Sequence, residues 1–304
     1  MKFPKPIPVA EIAEKIGAKI LGDAKQLAYG INEIHKVEKG DINFSDVEKY
    51  FEKSLNSAAT ILILNKEVDC PAGKTILVCD NPFEAYDSIV KEFRPFTPIK
   101  HDNRTNDIHP TCILEPGVQI GTNVSIGAGS YIHANVVIRN NVQIGAHVII
   151  QSNAVIGGPA FYFKKEAGEY KQWTTGGVVV IEDDVMIGAG CTIANGVSGM
   201  TLIGQGTKLD CQVHIGHGVE VGRNCLFAAQ VGIGGKTIIH DGVVLYGQVG
   251  IAQNLIIGEG AVVLAKSGVS KNLTGNKVYF GYPAAEAKQM YRELATLRRI
   301  AKEK

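Results

Sequence analysis

Residues 209–222, LDCQVHIGHGVEVG, contain side chains of the types that acyl transfer to an amine requires. Such a transfer needs a base that removes the amine proton and a donor that stabilises the oxyanion. His217 is the best candidate for the base, and Asp210, seven residues earlier, is suited to orient its imidazole and to stabilise the charged form. Gly235 follows His217 by 18 residues, and its backbone N–H is the candidate oxyanion donor. The Gly234-Gly235 pair would let a thioester approach the backbone closely.

The same residues also have simpler interpretations. His217 fits an ordinary surface corner and Gly235 an ordinary turn, and the spacing alone does not decide between the two readings. His214 would line the same cleft or be a plain surface residue. Catalytic zinc normally needs three protein ligands, and no third partner for these two histidines is evident, so we predict no metal site. Cys211 lies beside Asp210, but nothing in the sequence predicts the lowered pKa that a catalytic thiol needs.

A large apolar residue returns every six positions along most of the chain. The period begins at Ile108, resumes at Ile181 after an interruption, and resumes at Ile203 after a four-residue insertion. Small or β-branched residues recur four positions after these anchors, and glycine often follows an anchor directly. The 24 anchors are Ile108, Leu114, Ile120, Ile126, Ile132, Ile138, Ile144, Ile150, Ile156, Ile181, Ile187, Ile193, Ile203, Leu209, Ile215, Val221, Phe227, Ile233, Ile239, Leu245, Ile251, Ile257, Val263 and Val269.

A period of six fits neither a single strand, whose period is two, nor an α-helix, whose period is 3.6. It fits a short strand followed by a sharp corner, with three strands in each triangular coil and the anchors pointing inward. Glycine and asparagine at the corners agree, because they adopt left-handed backbone most readily. This is the pattern of a hexapeptide-repeat parallel β-helix. The 24 hexads predict eight coils, a stack of about 38 Å at ~4.8 Å per coil. His217 and Gly235, 18 residues apart, then lie on neighbouring coils about one strand spacing, ~5 Å, apart.

The sequence divides into a mixed α/β domain, a mainly β domain and a C-terminal helix: residues 1–100, 101–283 and 284–304. The first domain is predicted to contain a helix in VAEIAEKIGAKI from Val9, strands at 60–65 and 75–79, and a helix after Asn81-Pro82. A loop at 157–177 interrupts the coil. Its aromatic residues would either cover a substrate or acyl chain or dock the loop on the coil: Phe161, Tyr162, Phe163, Tyr170 and Trp173.

Charge and composition exclude several classes of function. The chain has 31 basic and 30 acidic residues, a net charge of +1, so it lacks the basic footprint of a nucleic-acid-binding protein. No apolar run approaches the ~18 residues that span a bilayer. The first residues lack the apolar stretch of a signal peptide, which predicts a cytoplasmic protein. The six cysteines contain no CxxC pair and predict reduced thiols in a packed interior.

An ordered set of motifs resembles the UDP-3-O-(3-hydroxyacyl)glucosamine N-acyltransferases over nearly the whole chain. The string LDCQVHIGHGVEVGRNCLFAAQVGIGGKTII, residues 209–239, is similar to the core of that family. The segment GDINFSDVEKY (40–50) is similar to its uridine-binding segment. Three further matches are NPFEAY (81–86), IHPTCILEPGVQIGTNVSIGAG (108–129) and YFGYPA (279–284).

This resemblance implies a left-handed coil and a homotrimer that moves a 3-hydroxyacyl group to the 2-amino group of UDP-3-O-acylglucosamine in lipid A biosynthesis. The donor would be acyl carrier protein, through its phosphopantetheine, with no other cofactor. By position, His217 would be the general base, Asp210 its orienting carboxylate and Gly235 the oxyanion donor. Substrate contacts fall on Phe44 and Tyr50, which would hold the uracil, and on His214 and Asn254. A basic C-terminal segment suits the acidic carrier protein: Lys288, Arg292, Arg298, Arg299 and Lys302.

The chain departs from the family pattern at four places. Ala194-Asn195-Gly196 stands where the family commonly has Asp-Arg-Gly, Asn254 stands at a histidine, and Val47 stands at an asparagine. The loop pattern Asp-Gly-Phe-Gly-Phe is replaced by residues 159–163, PAFYF. These departures keep three alternatives open: a paralogue with another acceptor, an acetyl-CoA-dependent nucleotide-sugar acetyltransferase, and an inactive homologue that binds a nucleotide sugar or carrier protein.

Overall fold

The computed structural model describes residues 1–99, 105–281 and 287–302. The elements of the N-terminal domain are β1 (Lys2–Pro8), α1 (Val9–Ile16), β2 (Lys19–Leu21), β3 (Leu27–Ile31), β4 (Asp41–Ser45), a 3-10 turn (Glu48–Tyr50), α2 (Phe51–Leu55), β5 (Ile61–Leu64), β6 (Thr75–Val78) and α3 (Pro82–Phe93). The strands form one sheet in the order β1-β3-β4-β5-β6-β2, with helices packed against it. Strands β3 to β6 run parallel, and β1 and β2 are antiparallel to their neighbours at the two edges.

Local sequence explains where the two longer helices of this domain begin and end. Helix α3 begins as predicted at Asn81-Pro82, because the Asn81 side chain accepts a hydrogen bond from the Glu84 N–H and proline fits the first turn. Helix α1 is shorter than the string VAEIAEKIGAKI suggested. Gly17 takes the left-handed conformation at φ 63° and ends the helix, and the residues that follow form edge strand β2.

The repeat region is a parallel β-helix with three flat faces, and all 24 predicted anchors lie in its strands. The first face contains Asp107–Ile108, Ser125–Ile126, Val142–Ile144, Val178–Ile181, Met200–Ile203, Glu220–Val221, Ile238–Ile239 and Ile256–Ile257. The second face contains Ile113–Leu114, Tyr131–Ile132, Ile149–Ile150, Met186–Ile187, Lys208–Leu209, Leu226–Phe227, Val244–Leu245, Val262–Val263 and Val278–Tyr279. The third face contains Gln119–Ile120, Val137–Ile138, Val155–Gly158, Thr192–Ala194, His214–Ile215, Gly232–Ile233, Gly250–Ile251 and Gly268–Val269.

One continuous apolar core fills the prism between the faces. Every anchor from Ile126 to Val263 is at most 4% exposed, so each coil buries its three anchors against those of the coils above and below. Cys191 and Cys225 are buried in this core, and Cys112 packs against it. The corners turn through left-handed residues, many of them asparagine or glutamine, such as Asn135, Gln212 and Asn254.

The insertion at 157–177 leaves the coil in register, because Ile156 pairs with Ile193 across it as if the chain were continuous. The insertion itself contains a hairpin of Phe163–Glu166 and Glu169–Gln172. Helix α4 spans Ala287–Lys302 and confirms the C-terminal helix for the residues described there, while residues 284–286 and 303–304 lie outside them. None of the described helices is long and apolar enough to cross a membrane.

Candidate active site

His217 lies at the corner that follows the third face. Because the strands before them pair in register, four residues from successive coils stack at this corner: Asn195, His217, Gly235 and Gln253. We call this stack the His217 corner. His217 and Gly235 are therefore neighbours on adjacent coils, as predicted.

The imidazole of His217 lies directly against the backbone of Gly235. A Cβ atom on Gly235 would lie 2.5 Å from Nε2 and 2.6 Å from Cε1 of His217, so only glycine leaves room for this ring position. Among the described residues, the N–H of Gly235 donates no backbone hydrogen bond, whereas those of Gly234 and Lys236 do. A basic nitrogen and a free N–H thus lie side by side, as acyl transfer requires.

A cavity of about 430 Å³ opens onto this pair, a size typical of small-molecule sites. Its walls are the third face and the insertion, which contributes Pro159 and Phe161. The floor is flat because the outward positions above His214 are Gly232 and Gly250, which have no side chains to fill the space. The cavity is lined by Pro159, Phe161, Ala194, His214, Gly216, His217, Gly232, Ile233, Gly234, Gly235, Ile251, Ala252 and Gln253.

A buried ion pair ties the N-terminal domain and the insertion to this corner. Nζ of Lys236 lies 2.6 Å from a carboxylate oxygen of Glu33, which follows β3, and both side chains are at least 85% buried. The same ammonium lies 4.2 Å from the ring centroid of Tyr162 and 3.2 Å from its hydroxyl oxygen. The Tyr162 ring in turn packs on the imidazole of His217, with 5.0 Å between centroids. We call Glu33, Lys236 and Tyr162 the corner cluster.

Burial lowers the pKa of His217, whose side chain is almost wholly enclosed. The ammonium of Lys236 lowers it further and Glu33 opposes this, with smaller lowering contributions from His214 and His35. Its Nδ1 atom is buried and has no hydrogen-bond partner among the described residues. His217 is therefore uncharged at neutral pH, which is the state that a general base needs.

Asp210 does not contact His217. It follows the second face, one corner earlier in the same coil, and its Oδ1 accepts a hydrogen bond from the N–H of Cys211 at 2.7 Å. The seven-residue spacing that suggested an orienting role spans two different corners of the triangle, so it separates the side chains. The carboxylate with electrostatic influence on His217 is Glu33 instead.

The predicted substrate residues fall in different places. His214 lines the cavity and its Nδ1 lies 2.7 Å from Oγ1 of Thr192. Asn254 is an exposed left-handed corner residue one position beyond the lining residue Gln253.

The two predicted uracil contacts lie in the N-terminal domain, and their role stays a prediction. Phe44 packs against Tyr86 and Trp173 at 4.9 and 5.2 Å between ring centroids, which leaves its ring partly buried. Tyr50 is half exposed beside the ammonium of Lys49. The rings of Phe44 and Tyr50 do not contact each other.

The insertion aromatics were candidates from the sequence, whereas Glu33 and Lys236 were not. Trp173 docks on the N-terminal domain and not on the coil, Tyr162 covers His217, and Phe161 lines the cavity while remaining 84% exposed. Glu33 and Lys236 carry no motif, and their contact joins positions 203 residues apart in the chain. The one available signal was that Lys236 directly follows Gly235.

Comparisons with known proteins agree with this architecture. Residues 125–158 and 200–235 match the family described as bacterial transferase hexapeptide (six repeats). A UDP-3-O-acylglucosamine N-acyltransferase of Anaeromyxobacter sp. (strain Fw109-5) is 32% identical, with 74% of this chain and 72% of its own covered. The protein of that name from Campylobacter lari is 35% identical, with 74% of this chain and 76% of its own covered.

Solved structures show the same coil. The UDP-N-acetylglucosamine acyltransferase of Francisella novicida superposes with a TM-score of 0.54 at 25% identity, covering 62% of this chain and 70% of its own. LpxA from Acinetobacter baumannii gives a TM-score of 0.50 at 26% identity, covering 62% and 76%. The fold is thus confirmed as the left-handed parallel β-helix of the hexapeptide acyltransferases.

Proposed function

This chain belongs to the UDP-3-O-acylglucosamine N-acyltransferase family, and we propose that it transfers a 3-hydroxyacyl group from acyl carrier protein to the 2-amino group of UDP-3-O-acylglucosamine in lipid A biosynthesis, in the cytoplasm. The observation that carries the mechanism is the contact between His217 and Gly235 at the floor of the 430 Å³ cavity. It supplies a neutral imidazole and a free backbone N–H at one place.

In the proposed reaction, the amine nitrogen attacks the thioester carbonyl carbon while Nε2 of His217 takes the proton of the amine. The carbonyl π electrons move to the oxygen, where the N–H of Gly235 donates a hydrogen bond to the oxyanion. Collapse of this intermediate forms the amide and breaks the C–S bond. The departing phosphopantetheine thiolate receives the proton from the imidazolium, and His217 returns to its neutral state.

The proposed donor is an acidic carrier protein, for which helix α4 is a suitable contact. Its residues from Ala287 to Lys302 include five basic side chains and one acidic one, so the helix is strongly cationic. Charge complementarity of this kind mainly increases the rate of encounter, and it makes donor use sensitive to salt. An acetyl-CoA-dependent enzyme would not depend on such a helix.

We also propose that the chain acts as a trimer that assembles through the second face. The outward positions of this face form a column of mostly apolar residues along the coil, including Ile113, Leu226 and Val278, which are 58%, 51% and 67% exposed. An exposed apolar column of this length is typical of a protein–protein contact. A charge at its centre, as in Leu226→Lys, is expected to give monomers in light scattering, whereas Lys208→Met on the same face would not.

The test of the function is an acyl-transfer assay with 3-hydroxyacyl carrier protein and UDP-3-O-acylglucosamine, read by mass spectrometry. Wild-type protein is expected to form the N-acylated product, and His217→Ala to lose at least 10²-fold in rate while keeping its Tm. Product from acetyl-CoA but not from the carrier protein would establish the acetyltransferase alternative. Binding of the nucleotide sugar without turnover of either donor would establish the inactive homologue.

A further inference from the structure

The hairpin inside the insertion is amphipathic, and its polar side faces the protein. Its two strands pair so that Lys164 lies across from Lys171. Nζ of Lys164 lies 2.5 Å from a carboxylate oxygen of Asp46, and Nζ of Lys171 lies 3.0 Å from one of Glu84. Both acids belong to the N-terminal domain, so the lysine side of the hairpin is the side that docks on that domain.

The other side of the hairpin projects aromatic rings away from the protein. Side chains alternate between the two sides of a strand, so Phe163 and Tyr170 lie on the side opposite the two docked lysines. Phe161, just before the hairpin, packs edge-on against Phe163 with 4.9 Å between ring centroids, and Phe163 lies 6.4 Å from Tyr170. Phe161, Phe163 and Tyr170 are 84%, 36% and 71% exposed, and no ring of another described segment packs on them. We call these three side chains the aromatic ridge.

The side of the hairpin that bears the aromatic ridge has a positive charge and no negative one. Nζ of Lys165 lies 5.8 Å from the centroid of the Tyr170 ring, and the two residues are direct partners across the hairpin. The acids of the hairpin, Glu166 and Glu169, lie across from each other on the docked side, where Glu166 pairs with Lys171 at 2.6 Å. The exposed side therefore combines aromatic rings with an ammonium group, a composition that suits the interface of an anionic bilayer.

We propose that the aromatic ridge is a membrane-contact surface, which inserts its rings into the interface of an anionic lipid bilayer. The ridge projects from the protein, so it offers no concave wall that would bury a small molecule. Three rings are also a small area for a stable contact with a folded protein, which usually buries about 800 Å² on each side. Lipid head groups move aside around projecting rings, and aromatic rings beside a lysine are typical of membrane-surface segments.

The position of the aromatic ridge gives a second reason for a lipid surface. Phe161 belongs both to the ridge and to the wall of the His217 cavity, so the ridge begins at the cavity. In the proposed function, on which this second reason rests, the product carries two acyl chains. Release of such a product beside a bilayer would spare both chains from exposure to water.

The test is sedimentation of the purified protein with vesicles of phosphatidylethanolamine and phosphatidylglycerol, in the absence of substrates. Wild-type protein is expected to sediment with these vesicles and much less with phosphatidylcholine vesicles. In the double variant Phe163→Ser, Tyr170→Ser, the partition coefficient is expected to fall about tenfold or more, because two apolar rings no longer leave water. The matched control is Phe96→Ser, which removes a ring that is 85% exposed but lies outside the hairpin, and it is expected to leave vesicle binding unchanged.

Tryptophan fluorescence separates the aromatic ridge from helix α4, whose basic side chains are also attracted to anionic vesicles. The emission of Tyr170→Trp is expected to shift to shorter wavelength when vesicles are added and to be quenched by lipids with brominated chains. The matched control is Phe96→Trp, whose emission is expected to stay unchanged. Trp173 contributes the same background to both variants.

Each outcome supports or overturns the membrane surface independently of the proposed function. Equal sedimentation of wild type and the double variant, with both folded by Tm, or an unshifted emission of Tyr170→Trp, would overturn it. A change of oligomeric state in light scattering without loss of vesicle binding would also overturn it and assign the ridge to a contact between copies of the chain. Ridge-dependent vesicle binding by a protein that transfers no acyl group would support the surface and refute the function, and acyl transfer by a protein that binds no vesicles would do the reverse.

Discussion

Removing either charged side chain of the corner cluster is predicted to shift the pKa of His217, and the two shifts have opposite directions. Lys236 lowers the pKa of His217 and Glu33 raises it. Lys236→Met removes the ammonium and leaves the Glu33 carboxylate unpaired, so both effects raise the pKa of His217. Glu33→Gln leaves the ammonium unpaired and lowers it further. In the double variant both charges are absent, and the pKa is expected to return near its wild-type value.

The size of the shift follows from the packing. Nζ of Lys236 lies 4.2 Å from the centroid of Tyr162, which lies 5.0 Å from that of His217, so the ammonium is within about 9 Å of the imidazole. A unit charge at ~9 Å is worth about 0.5 kcal/mol at an effective dielectric constant of ~80 and about 2 kcal/mol at ~20. We therefore expect the pKa of His217 to move measurably in each single variant, upward without the ammonium and downward without the carboxylate.

The assay is kcat/KM for acyl transfer as a function of pH, which reports the pKa of the base in the free enzyme. Activity falls on the acid side as His217 becomes protonated, so that limb moves to higher pH in Lys236→Met and to lower pH in Glu33→Gln. Lys266→Met is the matched control, since Lys266 is also a left-handed corner lysine but is exposed and away from the cavity. Shifts of the same sign in both single variants, or none in either, would refute this electrostatic account.

Three further predictions concern packing. Gly235→Ala would push the ring of His217 out of place and is expected to reduce kcat at least 10²-fold. The control is Gly232→Ala, which adds a methyl group on the same face without a clash, because its Cβ would meet no atom within 4 Å. Tyr162→Ala would expose the imidazole and raise its pKa, moving the acid limb of kcat/KM to higher pH, while Tyr162→Phe would keep the cover and change that limb little. Phe227→Ala would leave a cavity among fully buried anchors and is expected to lower the free energy of unfolding by about 3–5 kcal/mol, measured by denaturant titration.

The coil could be predicted from the sequence almost completely, because its determinants are local. Each hexad needs an inward apolar anchor and a corner residue that tolerates the turn, and both recur at a fixed interval. The interval also predicted that His217 and Gly235 are neighbours, since 18 residues return the chain to the same corner. One additional strand, Val278–Tyr279, escaped the pattern because it lies beyond the last regular hexad.

The rest of the site depends on contacts for which the sequence has no period. Glu33 meets Lys236 only because the N-terminal domain docks on the coil, where the Glu33 N–H donates a hydrogen bond to Oγ of Ser198. The face of the coil on which the N-terminal domain docks is determined by the complementarity of the two surfaces, and this complementarity has no repeating signal in the sequence. Asp210 shows the opposite case: seven residues are close along the chain, but in a triangular coil they span one side of the triangle, so within one chain Asp210 lies away from His217 and its orienting role stays a prediction.

The pairing of Ile156 with Ile193 means that the insertion adds residues to the chain without moving the next strands of the coil out of register. Because the coil continues in register after the insertion, a change in the length or composition of the insertion does not move His217 relative to Gly235. Tyr162 and Trp173, which shape the space around the base, both belong to the insertion. Substitutions in the insertion can therefore change the lining of the cavity while His217 and Gly235 stay in register. Homologues with this fold can acquire specificity for new acceptors in this way.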